Sequence, residues 1–187
     1  KKDDYTFVTE GIREVFSSAD IAIANLEGPV TKNKSVSLAA AIGSHDNYVF
    51  TFAPESVEAL THAGIDAVSL ANNHILNQGK EGVKTTIEEL EESGIAPFGS
   101  SSSEPSDRVA FVGNNCGTIG VVGYNQFHEK GIVVAKAEAM EDIALAKANA
   151  DWVVVMPHWG NEYQSESEAQ KALAVEFVAA GADAVVG

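Results

Sequence analysis

GIDAVSLANNHILNQG, residues Gly64–Gly79, is an apolar run that stops in three consecutive hydrogen-bonding side chains. Asp66–Leu70 reads as a buried strand, because small and apolar residues follow from Ala67 and Ala63-Gly64 in front ends a helix. Asn72, Asn73 and His74 then fall at its C-terminal tip. In an open parallel α/β sheet ligands bind at that edge, since the loops leaving the strands converge there and helix N-termini point the same way. An isolated Asn-Asn-His could equally be a turn with a capping histidine. Repetition argues for a site: helix, Asp, apolar strand and polar cluster recur as ADIAIANLEG (Ala19–Gly28) and ADWVVVMPHWG (Ala150–Gly160), and the order begins again in GADAVVG (Gly181–Gly187). The expectation is that these strands bring Asn25 and Glu27, Asn72 to His74, and His158 to one edge.

A chain of 187 residues predicts one domain with a core of its own. The single cysteine excludes an intrachain disulfide and a thiolate cage, so any metal here must take oxygen and imidazole ligands. The net charge of −15 argues against nucleic acid and anionic membrane surfaces as partners, because no Lys/Arg patch is present to displace counterions. No run reaches the roughly 20 apolar residues that span a bilayer, and no leader precedes Asp3.

Along the chain, Thr9–Ser18 reads as a short helix feeding the strand Asp20–Ala24. Residues 32–47 form a long irregular loop, of the kind that serves as a binding loop or lid or is simply disordered. Pro54 opens a helix that Gly64 caps, with His62 in the last turn, where a cationic side chain suits the helix dipole. A second helix, Lys80–Ser93, places Val83, Ile87 and Leu90 along one stripe. After the surface connection 99–107, Arg108–Val112 and Thr118–Gly123 predict a hairpin. Gly117, Gly120 and Gly123 mimic a nucleotide fingerprint but lie inside a strand pattern, where that fingerprint does not work. His128 reads as solvent-exposed. A helix from about Glu138 to Ala148 leads to the strand Trp152–Met156, and Ser165 with Glu168 predicts a capping box for the last helix. The pattern is α/β throughout.

A carboxylate (Glu27), an amide oxygen (Asn73) and an imidazole (His158) are hard and borderline ligands suited to Mn, Zn, Fe or Mg. His74, adjacent and not needed as a ligand, is then available to donate a proton or stabilise developing negative charge. That set follows the logic of metal-assisted phosphate ester hydrolysis.

The blocks ANLEGPVT (Ala24–Thr31), FTFAPESVEALTHAGIDAVSLANNH (Phe50–His74), GVVGY (Gly120–Tyr124) and HWGNEY (His158–Tyr163) resemble bacterial capsule synthesis proteins of the CapA or PgsA type. These are linked to poly-γ-glutamate and related to calcineurin-like metallophosphoesterases. The resemblance implies a layered metallophosphoesterase-like fold, with a largely parallel or mixed sheet flanked by helices. It matches Asn73-His74 to the Asn-His pair of the phosphoesterase site, Glu27 to its bridging acid and His158 to its mid-chain metal histidine. Asn25, Asn72 and Glu162 fall within the matching motifs as substrate-binding or supporting residues. The aspartate usual three residues after the motif histidine is here Asn77. By the same resemblance an opening Gly-Asp strand lies before Lys1 and a closing Gly-His-x-His segment begins at Gly187. The domain is therefore expected to be incomplete at both ends and to hold divalent metal weakly. Implied partners are a capsular polymer or phosphorylated envelope substrate and membrane proteins of the synthesis complex. The implied location is extracytoplasmic, membrane-associated through a segment outside these residues. Two functions stay open: a metal-dependent hydrolase, or a non-catalytic polymer- or partner-binding component on the same fold.

Overall fold

The computed structural model describes residues 4–37, 40–101 and 104–187, so parts of the 32–47 loop and of the 99–107 connection, and the start of the chain before Asp4, lie outside the described residues. The chain divides into two compact units, residues 1–97 and 98–187.

The first unit begins with a 3-10 turn, Tyr5–Val8, and the short helix α1 (Arg13–Ser17). Strand β1 (Ile23–Asn25) pairs in parallel with β2 (Ala67–Ser69), with Ile23 opposite Ala67 and Asn25 opposite Ser69. Strand β3 (Ala96–Phe98) completes a sheet of order β1-β2-β3. Helix α2 (Val57–Ala63) ends at Gly64, whose φ of 82° takes the left-handed cap, and α3 (Gly79–Glu92) follows the strand tip. Val30, Val68, Leu70, Leu90 and Ile95 are buried together. His62 is structural, as its place in the helix predicts: its Nε2 lies 2.9 Å from Glu10 Oε2.

In the second unit β4 (Val109–Asn114) and β5 (Gly117–Asn125) form the expected antiparallel hairpin. Strand β6 (Trp152–His158) pairs in parallel with β5, and β7 (Ala184–Val185) with β6. Helices α4 (Ile132–Asn149) and α5 (Glu168–Ala180) contribute Ile143 and Phe177 to a core shared with Val122, Tyr124, Val153 and Val155. Inside it Arg108 and Asp142, each side chain 3% exposed, form a forked pair, with Arg108 Nη2 2.7 Å from Asp142 Oδ1. Burial pushes the Asp142 carboxyl up against the pull of Arg108.

Four expectations change. The recurring strands do not share one sheet; they divide into the pairs β1/β2 and β6/β7, in separate sheets. Helix α4 starts at Ile132, so the β-branched run Ile132-Val133-Val134 is its first turn, with Ile132 and Val133 exposed and the buried face beginning at Ala135. The capping box is Ser167 with Gln170, because Ser167 takes the extended ψ of 158° that an N-cap needs. His128 is not at the surface: its side chain is 10% exposed, with Nε2 3.3 Å from Glu138 Oε2.

The repeated aspartate has a local cause. Asp66 Oδ2 accepts from Ala22 N at 2.7 Å, Asp151 Oδ2 from Thr118 N at 2.9 Å and Asp183 Oδ2 from Val153 N at 2.8 Å. In each case the carboxylate at the head of one strand holds the neighbouring strand's backbone. This clamp sets the register that carries the strand tips.

Candidate functional site

At the C-terminal ends of β1 and β2 a polar network replaces the apolar strands. Asn72, 1% exposed, donates from Nδ2 to Leu26 O at 2.7 Å and to Asn25 Oδ1 at 3.2 Å, tying one tip to the other. Its Oδ1 accepts from His74 N at 3.1 Å, which fixes the turn that presents the histidine. Asn25 Nδ2 donates to Glu27 Oε2, orienting the carboxylate. Asn25, Glu27, Asn72, Asn73 and His74 are thus brought together by two adjacent strand tips, as the sequence predicts for this part of the set.

The His74 ring is held on three sides. Phe50 stacks on it with centroids 3.8 Å apart and planes 15° from parallel. Asn77 Nδ2 lies 3.2 Å from Nδ1, and Asn73 Nδ2 lies 3.3 Å from Nε2. A neutral imidazole has one N–H and one lone pair, so only one of these amides donates to it and the other presents its oxygen. In the imidazolium both amides present oxygen.

Phe50 carries no sequence signal of its own, because it leaves a segment without periodicity. One signal was available in Gly28. Its φ is 138°, and a Cβ there would stand 2.0 Å from Phe50 O, so glycine is what lets the Phe50 backbone lie against the β1 tip. Asn77, 8% exposed, sits where the resemblance expects aspartate and bonds the His74 ring without adding charge.

His158 ends β6 in the second unit. Its carbonyl accepts from Gln126 N at 3.0 Å, and Phe127 meets its ring edge-on with centroids 6.0 Å apart. Gln126 Oε1 accepts from Gly160 N at 2.8 Å, bracing the turn after the strand. Glu162 is exposed in that turn, beside Tyr163, whose φ is 59°. Trp159, Gly160 and Asn161 line a cleft of about 150 Å³ together with Tyr124, Gln126 and Gln170. Tyr124 is 2% exposed and its hydroxyl has no hydrogen-bond partner among the described residues; burial pushes the phenol up.

The donors fit a divalent cation in kind. Glu27 is an oriented carboxylate, and Asn73 offers an amide oxygen whenever its nitrogen is the atom turned to the neutral His74 ring. Among the described residues no group of three or more His, Cys, Asp or Glu side chains is arranged to hold a metal. A shell built here would therefore draw on amide oxygens.

Polar side chains oriented at the tips of parallel strands, with helices packed on the sheets, define a layered α/β protein. The chain belongs to the bacterial capsule synthesis protein PGA_cap family, which it matches over residues 1–187. It is 30% identical to the PGA biosynthesis protein CapA of Bacillus subtilis (strain 168), covering 94% of this chain and 48% of that protein. It is 28% identical to the capsule biosynthesis protein CapA of Bacillus anthracis, covering 98% of this chain and 47% of that protein. The chain thus spans about half the length of these curated relatives. A crystal structure of a hypothetical protein from Thermus thermophilus is similar in fold, with a TM-score of 0.55 at 19% identity over 97% of this chain and 60% of that one. Family membership sets a capsule-synthesis context and a role at the cell envelope. Among the described residues no helix is long and apolar enough to cross a membrane.

Proposed function

We propose that this chain carries the metal-dependent phosphoesterase-like site of a protein of capsule or poly-γ-glutamate synthesis or export. Glu27 and Asn73 are the first unit's ligands for a divalent cation, Mn, Zn, Fe or Mg, His158 is a ligand by the resemblance alone, and His74 is the proton donor. The supporting observation is the His74 ring, stacked on Phe50 with an amide at each nitrogen. For His74 to donate, the Asn73 amide gives up Nε2 to the leaving oxygen while Phe50 and Asn77 keep the ring in place, and general acid catalysis of this kind supplies about 10²–10⁴ in rate. When bound, the cation would polarise a phosphoryl oxygen and lower the pKa of water. Asn72 and Asn25 keep His74 and Glu27 oriented. His158 enters through the resemblance of HWGNEY, and so does Glu162 as a substrate-binding or supporting residue. The substrate is a capsular polymer or a phosphorylated envelope molecule, met outside the cytoplasm beside membrane proteins of the synthesis complex.

Hydrolysis of p-nitrophenyl phosphate and of bis(p-nitrophenyl) phosphate by the full-length protein with Mn, Zn, Fe or Mg tests this. Turnover with at least one metal is expected, and His74→Ala should lose about 10²–10⁴ of it. Silence with all four metals would overturn the hydrolytic assignment and leave a polymer- or partner-binding component on the same fold.

A further inference from the structure

The cleft in the second unit takes no part in the proton and metal chemistry assigned above. Its lining comes from the end of β5, the turn after β6 and the first turns of α5, and none of its residues is charged. Trp159 stacks on Phe177 with planes 13° from parallel and meets Tyr124 edge-on at 6.2 Å, so the indole is fixed by the core. Around it stand the side-chain amides of Gln126, Asn161, Gln164 and Gln170. Gln126 and Gln170 have committed their oxygens, to Gly160 N and to Ser167 N, which turns their NH₂ groups into the available donors. Gly160 keeps the turn close to these amides: its φ is 92°, and a Cβ there would lie 2.6 Å from Gln170 Nε2.

We infer that this cleft binds an uncharged, hydroxyl-bearing ring, a pyranose unit of a glycan. The volume of about 150 Å³ admits one ring-sized group and is small for a larger ligand. Amides both donate and accept, as sugar hydroxyls do, and an aromatic face offers apolar area to the ring's C–H side. A glutamyl unit carries a carboxylate, and no Lys, Arg or His lines the cleft to meet it. The Tyr124 hydroxyl, buried without a partner among the described residues, gains one from the ring. The inference does not depend on the phosphoesterase assignment, because no residue of that set lines the cleft.

The test is Trp159 fluorescence in a Trp152→Phe background, which leaves one indole of the chain's two. Glucose, N-acetylglucosamine and tri-γ-glutamate are the probes. A saturable change with at least one sugar is expected, at a dissociation constant of about 1–10 mM for so small a ligand. Asn161→Ala with Gln164→Ala, both exposed and so harmless to the core, should weaken it about tenfold. His74→Ala should leave it unchanged, so sugar binding without turnover, or turnover without sugar binding, separates the two assignments. No saturation by either sugar, saturation undiminished in the double variant, or saturation by tri-γ-glutamate alone would overturn the inference.

Discussion

The two units open their parallel strands in the same way and finish them differently. Asp66 clamps Ala22 in the first, and Asp183 clamps Val153 in the second, by the same carboxylate-to-backbone bond. Past the strands the first unit builds a network of asparagines around Glu27 and His74, with Phe50 laid over the ring. The second sends out one histidine and then a turn beside an uncharged cleft. Register is set by strand heads and chemistry by strand tips, so a sequence repeat at the heads says little about what the tips do.

The cores differ too, and the largest effect is expected there. Asp142→Ala in the second unit would take away the forked partner of the buried Arg108 guanidinium and leave Glu141 at 3.5 Å, costing about 3–5 kcal/mol by denaturant unfolding. Thr86 is a buried polar partner in the first unit's core, accepting from Val30 N at 2.8 Å and donating to Gly82 O at 2.6 Å, so the contrast is between an ion pair and a hydroxyl. A loss under about 1 kcal/mol in Asp142→Ala would mean the ion pair is not sealed from water.

Next in size is Asn72→Ala at the first unit's tip. It removes one of the two donors to Leu26 O, which keeps Gly28 N at 2.8 Å, and the side-chain acceptor of His74 N, costing about 1–3 kcal/mol and releasing the His74 turn. Unchanged stability with an unchanged His74 imidazole NMR environment would show the network to be ornamental.

The smallest effect distinguishes the clamps by pH. Asp183 is held below the ordinary aspartate value of 3.8, chiefly by the Val153 N–H, against burial and with help from Lys147. A depressed carboxylate stabilises the fold above its unfolded pKa, and that contribution is lost as pH falls through the folded one. Asp183→Asn should therefore melt lower than the parent at neutral pH, with the gap closing below pH 3.8. A gap constant from neutral to acid pH would assign the clamp to packing.

Much of this was legible because it is local. Gly64, Gly94 and Gly181 mark helix ends through left-handed or open backbone at single positions, and the Asn-Asn-His tip follows its strand within a few residues. The division of the repeated strands between two sheets was not legible, since pairing joins distant segments and the same Asp head occurs in both. Phe50 reaches His74 through a tertiary contact with no local signature except the glycine it packs against. Ser165 and Ser167 both have a partner three residues on, and only the extended backbone at Ser167 chooses between them.

In the proposed function the first unit's tip separates a metal-holding carboxylate, Glu27, from a proton-donating imidazole, His74. Mn²⁺ binding followed by electron paramagnetic resonance in the parent, Glu27→Gln and His74→Ala tests it directly. Weak binding is expected in the parent, lost in Glu27→Gln by at least about 10–100-fold in affinity and kept in His74→Ala. Retention in Glu27→Gln, or equal loss in both variants, would contradict it.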